Sequence, residues 1–478
     1  MTQAQRTDID QSVGTTAGQP ESALAKLFGG AIFSNLQTDL VAGLTVAAIS
    51  LPQSMAYALI AGVDPRFGLY TAIVFTIVAG LLGSSNHLVN GPTGAVSLVT
   101  FSALAFIDPE AKLDSYEAMF LLCVLVGYVQ IAIAVTRLGD LTRYISESVV
   151  TGFVAGAAVL TIIGQVANAL GVKAQGSGHQ HVLHRLYLTL TQPTPVNLKA
   201  VSITCGAIAL ALVLRRLVRR FRLPQIDMLS AVVVMSLIAY GAGWSHAAPG
   251  AAPAVPLIEQ IPAALPSPHV PEIKFEWLLD LSSSAFAIGI LGLLEALAIA
   301  KAIAHKSREP LDYNRQCLAE GLGNLVGGFF HCMPGSGSLT RTAINYQAGA
   351  KTRLSGVLSA IAIAVVVLLF APLMAFIPKA VLAGLLIVAA SRLIDFERLR
   401  YIAAASRYDA ILLGVTAVSA VAVGVEFAIL IGAVLSIAWY VLRASKLNVQ
   451  ELVVAPERVV RARIASDPPP QGVLIYDF

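Results

Sequence analysis

Charge is scarce in this sequence. Only 13% of its 478 residues are Asp, Glu, Lys or Arg, while 56% are hydrophobic; soluble globular chains carry about 25% charged residues. The formal charge of +4 comes from basic residues in short stretches between apolar runs, which argues against a nucleic-acid partner. Cysteine is almost absent. Cys123, Cys205, Cys317 and Cys332 are scattered, with no CxxC or Cys/His spacing, so no disulfide framework and no metal is expected. A Walker A loop is missing too, because Gly349-Ala350-Lys351-Thr352 has no earlier glycine at the required distance. Nor is there an HExxH or a Ser/His/Asp arrangement, so the chain is not expected to be an enzyme or to hold a cofactor. His179, His181 and His184 cluster in a glycine-containing polar stretch and are expected to be solvated rather than metal-bound.

What the chain has in excess is uninterrupted apolar sequence. Residues 121–136, 201–214, 281–294 and 354–378 carry no charge, and each approaches or exceeds the length that crosses a hydrocarbon core of about 30 Å. The fold class expected is an all-α polytopic membrane protein. The first half supplies segments at 39–59, 67–82, 94–106, 116–136, 148–170, 198–214 and 224–243. The second half supplies 282–304, 315–330, 338–347, 353–376, 379–391, 408–424 and 427–442. A proline-rich stretch at 245–271 separates the halves and reads as an extended loop outside the bilayer.

Lys and Arg placement sets the orientation. Arg215, Arg216, Arg219, Arg220 and Arg222 follow the sixth segment, and Lys301, Lys306, Arg308 and Arg315 follow the eighth. Arg392, Arg398, Arg400 and Arg407 follow the twelfth. Even-numbered loops are the basic ones, apart from the short second, so both termini are expected in the cytoplasm, as for a protein of a bacterial plasma membrane. Residues 1–35 lack the pattern of a signal peptide and read as a cytoplasmic tail. Residues 36–443 form the membrane domain, with repeats at about 36–243 and 272–443. From 444 to 478 the alternation is strand-like. About 30 residues cannot bury a core, so this stretch reads as the start of a cytoplasmic domain.

Two segments are unusually short. Gly91-Pro92-Thr93-Gly94 opens the third, and Pro334-Gly335-Ser336-Gly337 opens the tenth. Short Gly/Pro-interrupted segments at corresponding positions of two halves are the mark of an inverted-repeat transporter with its site at the midplane. Third and tenth stand seven apart, as a 7+7 repeat of fourteen segments requires. A helix N-terminus is a ready anion site. Here the N–H groups around Gly94 and Ala95, and around Ser338, Leu339 and Thr340, are expected to converge, with the Thr93, Ser338 and Thr340 hydroxyls beside them. Arg341 adds a full positive charge. A cation at membrane depth normally faces a cavity or a partner. Glu295 is the lone charge in its own apolar run. It is either a proton carrier, which would let an anion cross without added negative charge, or a structural partner of Arg341 or of the backbone. Gln53 in the first segment either hydrogen-bonds the substrate or ties helices together.

These motifs resemble those of the sulfate permease (SulP) family, the relatives of pendrin and prestin. The resemblance lies in Ser50-Leu51-Pro52-Gln53-Ser54-Met55-Ala56-Tyr57-Ala58 and in Pro65-Arg66-Phe67-Gly68-Leu69-Tyr70-Thr71-Ala72. It continues through Leu294-Glu295-Ala296, Asn324, Ser338-Leu339-Thr340-Arg341-Thr342-Ala343-Ile344-Asn345 and Gly349-Ala350-Lys351-Thr352-Arg353-Leu354-Ser355-Gly356. It spans residues 36–443 in order. The family implies core and gate domains, a C-terminal STAS domain of which the strand-like tail is the start, and a homodimer in the lipid bilayer. It implies transport of a small anion of the sulfate, bicarbonate or dicarboxylate class by alternating access, with proton symport expected through Glu295. Anion exchange, an uncoupled channel, a proton-coupled nucleobase symporter and a non-transporting sensor are the alternatives.

Overall fold

A computed structural model describes residues 35–444 except 105–111, 138–145, 174, 176–179, 181, 192–194, 222–226, 246–252 and 259, together with 450–454, 460–462 and 475–477. Seventeen helices lie among the described residues. The first bundle begins with α1 (Leu36–Ile60), α2 (Pro65–Leu82), α3 (Gly94–Ala103) and α4 (Lys112–Val135). Then come α5 (Glu147–Gly164), α6 (Val166–Leu170), α7 (Val182–Thr191), α8 (Leu198–Phe221) and α9 (Asp227–Gly241). The second half holds α10 (Phe275–Ser307), α11 (Tyr313–Gly328), α12 (Leu339–Gln347), α13 (Leu354–Met374) and α14 (Lys379–Leu393). It ends with α15 (Phe396–Ala405), α16 (Arg407–Ala422) and α17 (Val425–Ala444).

Each of the fourteen apolar segments is helical over most of its described residues. Among the described residues seven stretches are long and apolar enough to cross a membrane alone: α1, α2, Asp114–Val135, Ser148–Leu170, Leu198–Val218, α10 and α13. The others are shorter or less apolar, α9 and α14 having 15 residues each. Three features differ from the expectation. Helix α8 runs on to Phe221 and takes in arginines assigned to a loop, because arginine is a good helix former and needs no hydrocarbon around it. Helices α7 and α15 lie within stretches read as loops. Both mix charge with apolar residues, so hydropathy alone hides them. Each leaves aromatics at the surface, Tyr187 on one and Phe396 and Tyr401 on the other, the composition of helices that lie along an interface.

Packing sorts the helices into two groups. Helices α1, α2, α4, α10, α11 and α13 pack on one another, and α5, α8, α9, α14, α16 and α17 form the second group. The most extensive crossing is α4 on α11. A Cβ on Gly127 would lie 2.7 Å from the Gly321 carbonyl, and one on Gly321 would lie 3.0 Å from the Gly127 carbonyl. Membrane helices gain little from the hydrophobic effect against each other, so close backbone approach through small residues holds them.

Helices α3 and α12 have ten and nine residues, about 15 Å at 1.5 Å per residue, which is half a bilayer core. Each follows a two-residue strand, β1 (Asn90–Gly91) or β2 (Ser336–Gly337), and the strands pair antiparallel, Asn90 opposite Gly337 and Gly91 opposite Ser336. Non-helical backbone at membrane depth must find its hydrogen bonds within the protein. Here the Ser338 N–H donates to the Val89 carbonyl, and the Val89 N–H donates to Thr342 Oγ1. Thr76 Oγ1 donates to the Asn90 carbonyl at 2.8 Å. Asn324 brackets Gly335, accepting from its N–H at 2.8 Å and donating to its carbonyl at 3.1 Å. Gln130 and Ser336 complete the frame, through Asn324 and the Gly292 carbonyl respectively. After α17, strands β3 (Gln450–Val454), β4 (Val460–Ala462) and β5 (Ile475–Asp477) form an antiparallel sheet with β3 in the middle.

Candidate functional site

The β1–β2 pair delivers two helix starts to one place. Thr93 is the N-cap residue of α3, and Ser338 that of α12; neither side chain caps its helix. The first N–H groups of a helix have no partner within it, so both ends keep donors for something else. Thr93 turns its hydroxyl away and donates to Glu295 Oε2 on α10 at 3.0 Å. Ser338 Oγ lies 3.4 Å from Thr340 Oγ1.

Arg341, in the first turn of α12, is the largest fully buried side chain among the described residues. Its Nη2 donates to the Pro92 carbonyl, 2.8 Å away, just before α3. Its Nε and Nη1 are buried with no hydrogen-bond partner. The guanidinium therefore reaches from one half-helix to the foot of the other and keeps two donor nitrogens unspent. Glu295 is in electrostatic reach of it. It makes its hydrogen bond to Thr93, so the direct pairing weighed for the sequence is not the contact seen. The surface left open in this region belongs to Gly94, Glu295 and Thr340, which are partly accessible, and to Leu339, which is 40% exposed. Ala95, Thr93, Ser338 and Arg341 are buried behind them.

Gln53 is buried, and its Nε2 faces Met228 Sδ on α9 at 3.7 Å, with its Oε1 unpartnered. One turn further along α1 stands Tyr57, on the same face by the i, i+4 rule. Its ring lies 3.4 Å from the position of a Cβ on Gly94, and Thr161 Oγ1 of α5 lies equally close. Tyr57 is also in electrostatic reach of Arg341 and Glu295. Its role is not marked in the sequence, because an aromatic in an apolar helix carries no distinctive signal; its spacing from Gln53 is the available clue. Of the histidine cluster, His179 and His181 lie outside the described residues. No group of three or more His, Cys, Asp or Glu suited to a metal occurs among those described.

Gly91 is dictated by Arg341. Its φ is +138°, where a side chain is strained by about 1–3 kcal/mol, and a Cβ there would sit 2.8 Å from Arg341 Nη1. The Gly91→Ala protein is expected to insert and fold but to bind an added oxyanion such as sulfate at least tenfold more weakly, because the guanidinium must leave its place. Isothermal titration of the purified variant checks this, and wild-type affinity would show that the arginine's position is not critical.

The profile of the sulfate permease family matches residues 36–416. The chain is 31% identical over 407 residues to "Probable sulfate transporter 4.2" of Arabidopsis thaliana, covering 84% of this chain and 58% of that protein. It is 33% identical over 409 residues to a "Probable sulfate transporter" of Mycobacterium tuberculosis, covering 84% of this chain and 70% of the other. Among solved structures, the transmembrane domain of the cyanobacterial bicarbonate transporter BicA superposes with a TM-score of 0.70 at 26% identity, over 85% of this chain and 98% of that one. The chain thus spans well under two thirds of the length of its Arabidopsis relative. These relatives are transporters and not enzymes, and the apolar helices of the shared fold make this an integral membrane protein. With the match running through most of its length and through both half-helices, the chain belongs to the sulfate permease family.

Proposed function

We propose that this protein is a secondary active transporter that carries a small anion of the sulfate, bicarbonate or dicarboxylate class by alternating access, driven by proton symport through Glu295. The observation that carries the proposal is Arg341, a fully buried cation with two unpartnered nitrogens between two helix N-termini. Two such termini contribute roughly half a positive charge each. A site with that much positive potential and that many spare donors is suited to an oxyanion, which brings charge and several acceptors at once. The substrate ligands are then the N–H groups of Gly94, Ala95, Leu339 and Thr340, the Ser338 and Thr340 hydroxyls, and Arg341, with Gln53 at the α1 face; the Thr93 hydroxyl, spent on Glu295, ties that carboxyl to the start of α3. The names borne by the relatives support the sulfate and bicarbonate members of that class.

In this proposal the chain crosses the membrane fourteen times as two inverted repeats of seven segments, each giving one half-helix. The core, α1–α4 with α10–α13, carries the anion past a gate of α5, α8, α9, α14, α16 and α17. Support comes from the denser packing within each group than between them and from the pairing of β1 with β2 at matching positions. Both termini face the cytoplasm of a bacterial plasma membrane, the tail from residue 444 begins a STAS domain, and the working unit is a homodimer.

The test is uptake of labelled sulfate, bicarbonate and a dicarboxylate into proteoliposomes, with and without an acid exterior. Accumulation of at least one anion, increased by the acid exterior, is expected. Uptake that no pH gradient changes would favour exchange or channel behaviour, and uptake of none by folded protein would end the proposal.

A further inference from the structure

A second carboxyl group lies in the core and has no part in the site described so far. Glu320, in the middle of α11, is fully buried. An ionisable residue inside a membrane domain is costly and rarely without a task. Its Oε1 accepts from Gln316 Nε2 at 2.9 Å, while its Oε2 has no partner. The Asn90 amide lies against it on the donor side, without meeting hydrogen-bond geometry to Oε2, and its own Oδ1 is buried without a partner. A buried carboxyl oxygen without a donor is what a missing proton leaves behind. A proton on Oε2 gives the acid a donor for the Asn90 amide, whose oxygen and nitrogen exchange places by a half-turn.

The position matters as much as the chemistry. Asn90 is the first residue of β1, next to Gly91, whose missing side chain makes room for Arg341. Glu295 is the charged group in electrostatic reach of Glu320 among the described residues; the remaining neighbours are the neutral Gln316 and Asn90. Glu295 in turn faces Arg341 on α12, Tyr57 on α1 and Thr93 on α3. On the other side, Gln316 Oε1 accepts from the N–H groups of Ser84 and Ser85 at 2.9 and 3.2 Å. Ser84 Oγ accepts from the exposed Asp312 N–H at 2.8 Å. Glu320 therefore stands between the anion site and the linker at the end of α2.

We propose that Glu320 is a second proton-carrying residue, so that two protons, one on Glu295 and one on Glu320, accompany a divalent anion into the site. This rests on the anion-site proposal above. Charge accounting motivates it. Arg341 contributes one positive charge and the two helix ends about one more, while the two ionised acids cancel both. A bound divalent anion then leaves two negative charges uncompensated, and protonation of both acids restores neutrality.

The experiment counts protons taken up per sulfate bound by the detergent-purified protein in weak buffer with a pH indicator, across about pH 5 to 9. The maximum expected is close to two in the wild type and one in Glu320→Gln. A wild-type maximum of one overturns the inference, and so does an unchanged count in the variant. The wild-type count decides the matter even if Glu320→Gln does not fold. Absence of sulfate binding with bicarbonate still bound would also overturn the inference, whereas absence of binding by sulfate, bicarbonate and a dicarboxylate alike would sink the anion site itself, and the two failures are therefore distinct.

Discussion

Arg341→Ala is expected to weaken anion binding by about 30- to 3,000-fold without lowering the stability of the anion-free protein. The first half follows from the cost of removing one partner of a buried charge pair, about 2–5 kcal/mol, with tenfold in affinity for every 1.4 kcal/mol. The second half is less usual for a fully buried side chain. Truncating a large core residue normally destabilises, through lost contacts and the cavity left behind. Here the side chain is a cation that spends one donor on the Pro92 carbonyl and leaves two nitrogens unpartnered. Burying a charge without full compensation opposes folding, so its removal offsets the packing that is lost. Thermal denaturation separates the two effects. A ligand at 100 times its Kd stabilises by about 2.7 kcal/mol, so sulfate should raise the wild-type midpoint and leave that of Arg341→Ala unmoved. A variant that is still stabilised by sulfate at wild-type concentrations would remove Arg341 from the site. One that melts far below the anion-free wild type would make it a structural residue.

The sequence exposed this arginine and the two half-helices because their signals oppose the background. A charge or a Gly/Pro run in an apolar chain stands out, and the spacing of seven segments between the two runs needs no structure to see. The apolar segments were legible for the same reason, and each is helical over most of its described residues. Other features were hidden by lack of contrast. Tyr57 and Glu320 enter the argument through what they face, Gly94 in one case and Asn90 in the other, and such facings across distant elements are not local properties of sequence. The amphipathic α7 and α15 were hidden because their charges resemble those of a loop. The antiparallel pairing of β1 with β2 joins residues nearly 250 positions apart; the half-helices were predictable one by one, but the strands that hold their starts together were not. Glu295 is intermediate. Its isolation was visible, yet its choice of Thr93 over Arg341 depends on a hydrogen bond of 3.0 Å that only the fold creates.

That choice shapes the expected behaviour of Glu295→Gln. The amide keeps an oxygen for the Thr93 hydroxyl and nearly the same shape, so the half-helix start should hold its place, but it cannot take up or release a proton. Each proton moving down a gradient of one pH unit supplies about 1.4 kcal/mol, a factor of about ten in accumulation. The variant is therefore expected to accumulate sulfate about tenfold less per pH unit of inward gradient than the wild type, with the membrane potential clamped. If Glu295 is the only carrier, accumulation falls to the outside concentration. If Glu320 carries a second proton, a tenfold-per-unit remainder persists, and the double variant abolishes it. A structural role predicts something else: the loss would appear as lower folded yield and a lower melting temperature, with the dependence on the gradient intact in whatever protein survives. Glu295 is partly accessible, whereas Arg341 beside it is wholly buried, so solvent reaches this carboxyl directly in the state seen. Sulfate accumulation by folded Glu295→Gln equal to the wild type at every imposed gradient would end the coupling proposal and leave exchange or channel conduction as the mode of transport.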